Sequence, residues 1–166
     1  MPQKIYNVIF LCTGNSARSI LAEAILNRDG QGRFKAFSAG SQPTGQVNPF
    51  ALSLLKSMKF DTTFAHSKTW DEFAVTCAPN MDFVLTVCDN AAREVCPIWP
   101  GHPLTAHMGI PDPAAVKGTK NEIETAFFNA YQQLSKRISM FIKLPLENID
   151  KRTLQDHFNV FDAHAS

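Results

Sequence analysis

The junction at residues 5–25 constrains this chain more than any other feature. Ile5 to Leu11 (I-Y-N-V-I-F-L) is a short, nearly continuous apolar run rich in β-branched residues, the pattern of a parallel strand buried on both faces. Ile20, Leu21, Ala24 and Ile25 then recur at helical spacing until Asp29-Gly30 supplies a stop. Between them lies Cys12-Thr13-Gly14-Asn15-Ser16-Ala17-Arg18-Ser19. Strand, loop and helix in that order form the first part of a βαβ unit, so further parallel strands must follow.

The rest of the chain supplies them. Phe34 to Ser38 reads as a second strand closed by Ala39-Gly40, and Asn48-Pro49 is an N-cap with Pro at the first helical position for a helix from Phe50 to Met58. Trp70 to Ala74 predicts a short helix, Met81 to Val87 a third strand ending at Cys88, and Leu104 to His107 a short fourth strand. Thr119 and Glu122 make a capping box ahead of a long stripe, Ile123, Phe127, Ala130, Leu134, Ile138 and Phe141, that stops before Pro145. Leu154, Phe158 and Phe161 predict a small terminal helix, docked on the domain or covering a partner. The expected fold is α/β: one small domain with an about four-stranded parallel sheet and helices on both faces. Residues 1–145 are expected to form the catalytic domain and residues 146–166 a C-terminal extension.

Composition excludes several function classes. At 166 residues, 45% apolar and 19% charged, the chain is sized and composed for one ordinary core. A net charge of +1 without a basic run argues against a nucleic-acid partner. No apolar stretch approaches the roughly 18 residues of a membrane span, and Met1-Pro2-Gln3-Lys4 leads into the first strand without a cleavable signal pattern. A cytoplasmic protein is expected, in which four cysteines are catalytic, redox-active or buried rather than a disulfide framework.

In a parallel sheet, ligands sit at the carboxyl ends of the strands, where a helix N-terminus offers unpaired amides. The residues Thr13, Gly14, Asn15, Ser16, Ala17 and Arg18 are placed to wrap a tetrahedral oxyanion, with the Arg18 guanidinium on two oxygens and the Cys12 sulfur facing the central atom. Those amides, the helix end and Arg18 favour the thiolate, and Ser19 is positioned to donate to it. Random placement gives C-x5-R-[ST] roughly 0.02 times per chain of this composition. For Asn15, a left-handed loop conformation and a direct ligand contact are both open readings.

The segment V-I-F-L-C-T-G-N-S-A-R-S-I-L-A-E-A resembles the phosphate loop of the low-molecular-weight protein tyrosine phosphatase fold, and F-S-A-G-S-Q-P-T-G-Q-V-N-P resembles its arsenate reductase branch. The likeness runs over about residues 4–144. T-V-C-D-N-A-A-R-E-V-C-P-I-W-P-G (Thr86 to Gly101) and M-G-I-P-D-P (Met108 to Pro113) are similar to the reductase branch; the phosphatases carry no such second and third cysteine. The resemblance implies reduction of arsenate to arsenite with Cys12, Cys88 and Cys96 as a disulfide relay and Asp112 as the acid. It implies no metal and no tightly bound cofactor, but an external thiol donor: glutaredoxin with glutathione, or thioredoxin. The implied partners are an arsenate-, phosphate- or sulfate-like oxyanion and a thiol-redox protein. In thioredoxin-coupled members an aspartate in the segment matching His66-Ser67-Lys68 joins residues matching Asn15, Glu23 and Ser38 in a potassium site. Lys68 departs from this, either as an ammonium in place of the cation or as a solvated surface lysine. Cys77 is read as a bystander.

Two other functions remain open to the sequence. Phosphotyrosine hydrolysis uses the same loop and acid but has no need of Cys88 and Cys96. A non-catalytic oxyanion-binding or redox-sensing module leaves Asp112 without a task. Cys88 and Cys96 also admit a reading as structural thiols or metal ligands.

Overall fold

Strand β1 (Tyr6–Cys12) is buried along almost its whole length, as its nearly continuous apolar sequence requires of a strand covered on both faces. The computed structural model describes residues 4–75, 78–88 and 103–164. Strands β2 (Phe34–Gly40), β3 (Phe83–Thr86) and β4 (Leu104–His107) complete a sheet of order β2-β1-β3-β4 in which every pairing is parallel. The expected four-stranded parallel sheet is the one observed. β2 runs on through Ala39 and Gly40, so that Gly40 pairs with Cys12. β3 is shorter than the Met81–Val87 run, yet the Asp82 amide still donates to the Asn7 carbonyl (2.8 Å) and the Val87 amide to Leu11 (2.8 Å). These bonds carry the chain straight from β3 to Cys88 beside the end of β1.

Helix α1 (Arg18–Asp29) is buried continuously from Ser19 to Leu26, which places Glu23 in the interior. Its N-cap is Ala17, whose side chain cannot satisfy the first amides. Helix α2 (Pro49–Ser57) starts as expected: Asn48 Oδ1 accepts from the Phe50 amide at 2.8 Å. Helix α3 (Lys120–Ile142) buries Phe127, Ala130, Leu134, Ile138 and Phe141, and the Thr119 hydroxyl accepts from the Glu122 amide at 3.2 Å. The larger core joins α1 and α3 to Val8, Phe10, Phe83 and Leu85; a smaller cluster of Ile9, Leu11, Ala39, Met81 and Val84 closes the other face with Trp70 of the 3-10 turn Trp70–Phe73.

The terminal helix α4 (Lys151–His164) is longer than the small helix expected. Leu154 and Phe158 are buried, and Phe158 stacks on Phe141 with ring centroids 6.2 Å apart. The Phe161 side chain lies outside the described residues. Gln155 holds β4 by its carboxamide: Oε1 accepts from the His107 amide (2.7 Å) and Nε2 donates to the His107 carbonyl (3.0 Å). Among the described residues no helix is long and apolar enough to cross a membrane.

Candidate active site

The loop after β1 is shaped by where its carbonyls go. Those of Thr13, Gly14 and Ser16 accept from the amides of Gln42 (2.9 Å), Thr44 (3.0 Å) and Asn48 (2.8 Å), and the Ser67 hydroxyl adds a second donor to Gly14 at 3.0 Å. With these carbonyls committed to the neighbouring loop, the Asn15 amide reaches the Cys12 sulfur at 3.2 Å. Gly40 lets the two loops close. A Cβ there would stand 2.4 Å from the Thr13 carbonyl oxygen and 3.0 Å from both the Asn15 nitrogen and the Cys12 oxygen, distances no backbone neighbour tolerates.

Asn15 has a positive φ of 47°, so the left-handed reading holds, and its side chain has a separate task. Its Oδ1 accepts from the Lys68 amide at 2.9 Å. Because a backbone N–H can only donate, the oxygen must face Lys68 and Nδ2 must face Ser19, to whose Oγ it donates at 2.8 Å. Ser19 is thereby left to donate its proton to the Cys12 sulfur, 2.9 Å away. The chain of donors ends on sulfur, the polarity that suits a thiolate.

Burial works against that thiolate. Cys12 is almost inaccessible; its burial pushes the thiol above the ordinary range, while the Ser19 hydrogen bonds, then the Asn15 amide, pull it down, and the nearby Cys88 pushes it up. The sequence pointed to the stabilising groups and not to this opposing one. Reactivity should therefore rise with pH through a midpoint held down by Ser19. Ser19→Ala should move the midpoint of Cys12 alkylation by iodoacetamide to higher pH, and phosphate should protect Cys12 in both proteins. A midpoint that falls in the variant, or an alkylation rate indifferent to phosphate, would refute the donor chain.

Beneath the loop lies a buried polar cluster. Lys68 Nζ is 3.0 Å from the His66 carbonyl, 3.3 Å from Ser38 Oγ, 3.5 Å from Asn15 Oδ1 and 3.9 Å from Glu23 Oε1, and the Ser38 hydroxyl donates to Glu23. Burial pushes the Glu23 carboxyl up, against Lys68 and Ser38; burial likewise pushes Lys68 down, against Glu23, Glu72 and Cys12. Lys68 is thus not the solvated lysine that the sequence also allowed. Its ammonium stands among the oxygens of Asn15, Ser38 and Glu23, so these residues do not fit a potassium ion.

Arg18 opens α1 and turns toward the acid segment: one guanidinium nitrogen donates to the Ile110 carbonyl (3.0 Å) and the other stands 3.5 Å from Asp112 Oδ2. Asp112 caps the 3-10 turn Pro113–Ala115 through Oδ1, which accepts from the Ala114 amide at 3.0 Å. One carboxylate thus serves the turn through Oδ1 and meets Arg18 through Oδ2. Cys88 is buried, and its sulfur lies 3.6 Å from Thr13 Oγ1. Cys12 and Cys88 are both free thiols. Cys96 and Cys77 lie outside the described residues. Three contributors escaped the sequence reading. Gly40 and Ser67 carry no local signal; Arg137, which donates to the Gly109 carbonyl, interrupts the apolar stripe of α3 three residues after Leu134 and could have been found there.

Comparison with known proteins places this geometry among relatives. Residues 7–154 match the family described as low molecular weight phosphotyrosine protein phosphatase. An arsenate reductase of Shouchella clausii (strain KSM-K16) is 35% identical over 141 residues, covering 85% of this chain and 96% of that protein. The crystal structure of arsenate reductase from Archaeoglobus fulgidus DSM 4304 superposes with a TM-score of 0.65 at 25% identity, covering 82% of this chain and 99% of that one. The tyrosine phosphatase Wzb from Escherichia coli K30 in complex with sulphate gives the same TM-score at 19% identity, over 84% and 97% of the two chains. Backbone shape alone therefore does not separate the two activities.

Proposed function

The chain belongs to the low molecular weight phosphotyrosine protein phosphatase family, and within it we propose that it is a thiol-dependent arsenate reductase working through Cys12, Cys88 and Cys96. The observation that carries this reading is the second thiol on the loop: Cys88 Sγ lies 3.6 Å from Thr13 Oγ1, where hydrolysis of a phosphate ester has no use for it.

The steps balance. The oxyanion occupies the amides of residues 13–18, and Arg18 gives up Ile110 and Asp112 to grip two of its oxygens. The Cys12 thiolate attacks arsenic and one oxygen leaves as water, protonated by Asp112. The Cys88 thiolate then attacks the Cys12 sulfur: the S–S bond forms, the S–As bond breaks, and its electron pair stays on arsenic, which departs as arsenite. Cys96 attacks Cys88, freeing Cys12 and leaving a Cys88–Cys96 disulfide for an external dithiol or glutathione-type donor to reduce. A reducing compartment such as the cytoplasm supplies that donor. On this reading residues 1–145 carry the chemistry, and within the extension 146–166 Gln155 braces β4.

The experiment is arsenate-dependent oxidation of purified donor systems, thioredoxin in one arm and glutaredoxin with glutathione in the other, with para-nitrophenyl phosphate hydrolysis measured alongside. Donor oxidation that requires arsenate supports the reductase; hydrolysis without it favours the phosphatase. Lys68 adds a further expectation: replacing potassium by a bulky organic cation at constant ionic strength should leave turnover unchanged, since the ammonium already supplies the positive charge. A large, specific potassium activation would remove Lys68 from that role.

A further inference from the structure

Asp112 serves as an acid only if its turn stays in place while Arg18 moves. In the structure Arg18 uses both of its contacts on this turn, at Ile110 and Asp112. Gripping an oxyanion with two parallel N–H···O bonds takes two of the five guanidinium donors, and on this reading the edge that now meets Ile110 and Asp112 is the one that turns to the loop, which frees the turn in the state in which the acid is needed. The backbone offers little in exchange. Met108 and Ile110 are held by their amides to Thr86 (2.7 Å) and Val87 (3.2 Å), but Pro111 and Pro113 on either side of the acid have no N–H to donate.

A second guanidinium holds the same segment. Arg137 lies on the core-facing side of α3 and is only 4% exposed; it donates to the carbonyl of Gly109, next to the residue that Arg18 holds. A charge on a face shared with Leu134, Ile138 and Phe141 needs polar partners, and the Gly109 carbonyl is one of them.

We propose that Arg137 is a positioning residue for Asp112, keeping the acid turn in register through the Gly109 carbonyl once Arg18 has turned to the oxyanion. The inference rests on the reading of Asp112 as the acid that protonates the leaving oxygen.

A double-mutant cycle on the single-turnover rate of arsenite formation tests it, with Asp112→Asn, Arg137→Met, the pair of them, and Arg137→Lys. Loss of a general acid costs about 10²-fold or more. Arg137→Met should lower the rate on the order of tenfold, a fraction of that contribution, without changing the arsenate concentration for half-saturation. Arg137→Lys should recover part of the loss, because an ammonium can still donate one bond to the carbonyl. In the Asp112→Asn background, Arg137→Met should cost nothing more. Hydrogen exchange read on the same proteins should quicken at residues 108–116 in Arg137→Met and stay unchanged at residues 12–19. Losses that multiply in the double variant, or exchange that quickens equally in both segments, would overturn the proposal and leave Arg137 a general contributor to stability. If the wild-type chain forms no arsenite, the functional reading falls on its own. The exchange arm then still decides: unchanged exchange at 108–116 would overturn the positioning role.

Discussion

Arg18→Lys will reduce arsenate turnover by on the order of 10²–10³, nearly as much as Arg18→Ala, because the lost group stabilises charge in the transition state. The expectation follows from the shape of the side chain. Two guanidinium nitrogens of Arg18 already reach two separate acceptors, Ile110 O and Asp112 Oδ2, and the same fork is what a trigonal-bipyramidal oxyanion requires. An ammonium is a point charge and meets one oxygen at a time. Steady-state kinetics with a saturating donor measure the loss, and phosphate protection of Cys12 from alkylation reports whether ground-state anion binding survives. A lysine variant that keeps most of the activity would place Arg18 outside the chemistry.

The largest effect should come from the relay. Cys88→Ser leaves Cys12, Arg18 and Asp112 in place, so attack on arsenate or on a phosphate ester can proceed, but the thiol beside the loop that takes the Cys12 sulfur and leaves the electron pair on arsenic is gone. Multiple turnover with arsenate should collapse while any weak para-nitrophenyl phosphate hydrolysis continues. Cys96→Ser should instead arrest the protein one step later, with a Cys12–Cys88 disulfide that mass spectrometry detects after a single addition of arsenate. Cys88 Sγ lies 3.6 Å from Oγ1 of Thr13, the residue that follows Cys12, so the second thiol stands beside the loop that carries the first. Arsenate reduction persisting undiminished in both variants would falsify the intramolecular relay.

Features that depend on neighbours in sequence were legible from residues alone. The strand before Cys12, the Asn48 cap and the α3 stripe are local patterns, and each stands where its spacing puts it. What was not legible depends on neighbours in space. The carbonyls that fix the Cys12 loop are satisfied from residues 42, 44 and 48, and nothing at those positions announces an acceptor so far back in the chain. Lys68 illustrates the same limit: its sequence surroundings admit a surface residue, and only the fold brings Asn15, Ser38 and Glu23 around its ammonium. Burial of Cys12 is likewise a property of the assembled core, so its opposition to the thiolate could not be weighed beforehand. The β3 boundary differs for a smaller reason, since ladder bonds continue past Phe83–Thr86 on both sides without the full strand pattern.

The clamp of Gln155 on His107 has a further consequence. β4 is an outer strand of the sheet, and an outer strand presents backbone donors and acceptors to which a stray extended chain can add, the usual start of edge-to-edge aggregation. A single carboxamide engages both the N–H and the C=O of His107, pairing with the strand's last residue as another peptide group would. The sheet is thus terminated by a helix of its own chain, anchored by Leu154 and Phe158 in the core. Losing that helix would uncover apolar surface and a pairing edge at the same place, and because His107 stands in register with Thr86 and Leu11, at the end of the sheet that carries Cys12, the damage would fall beside the Cys12 loop and not at the far end of the molecule.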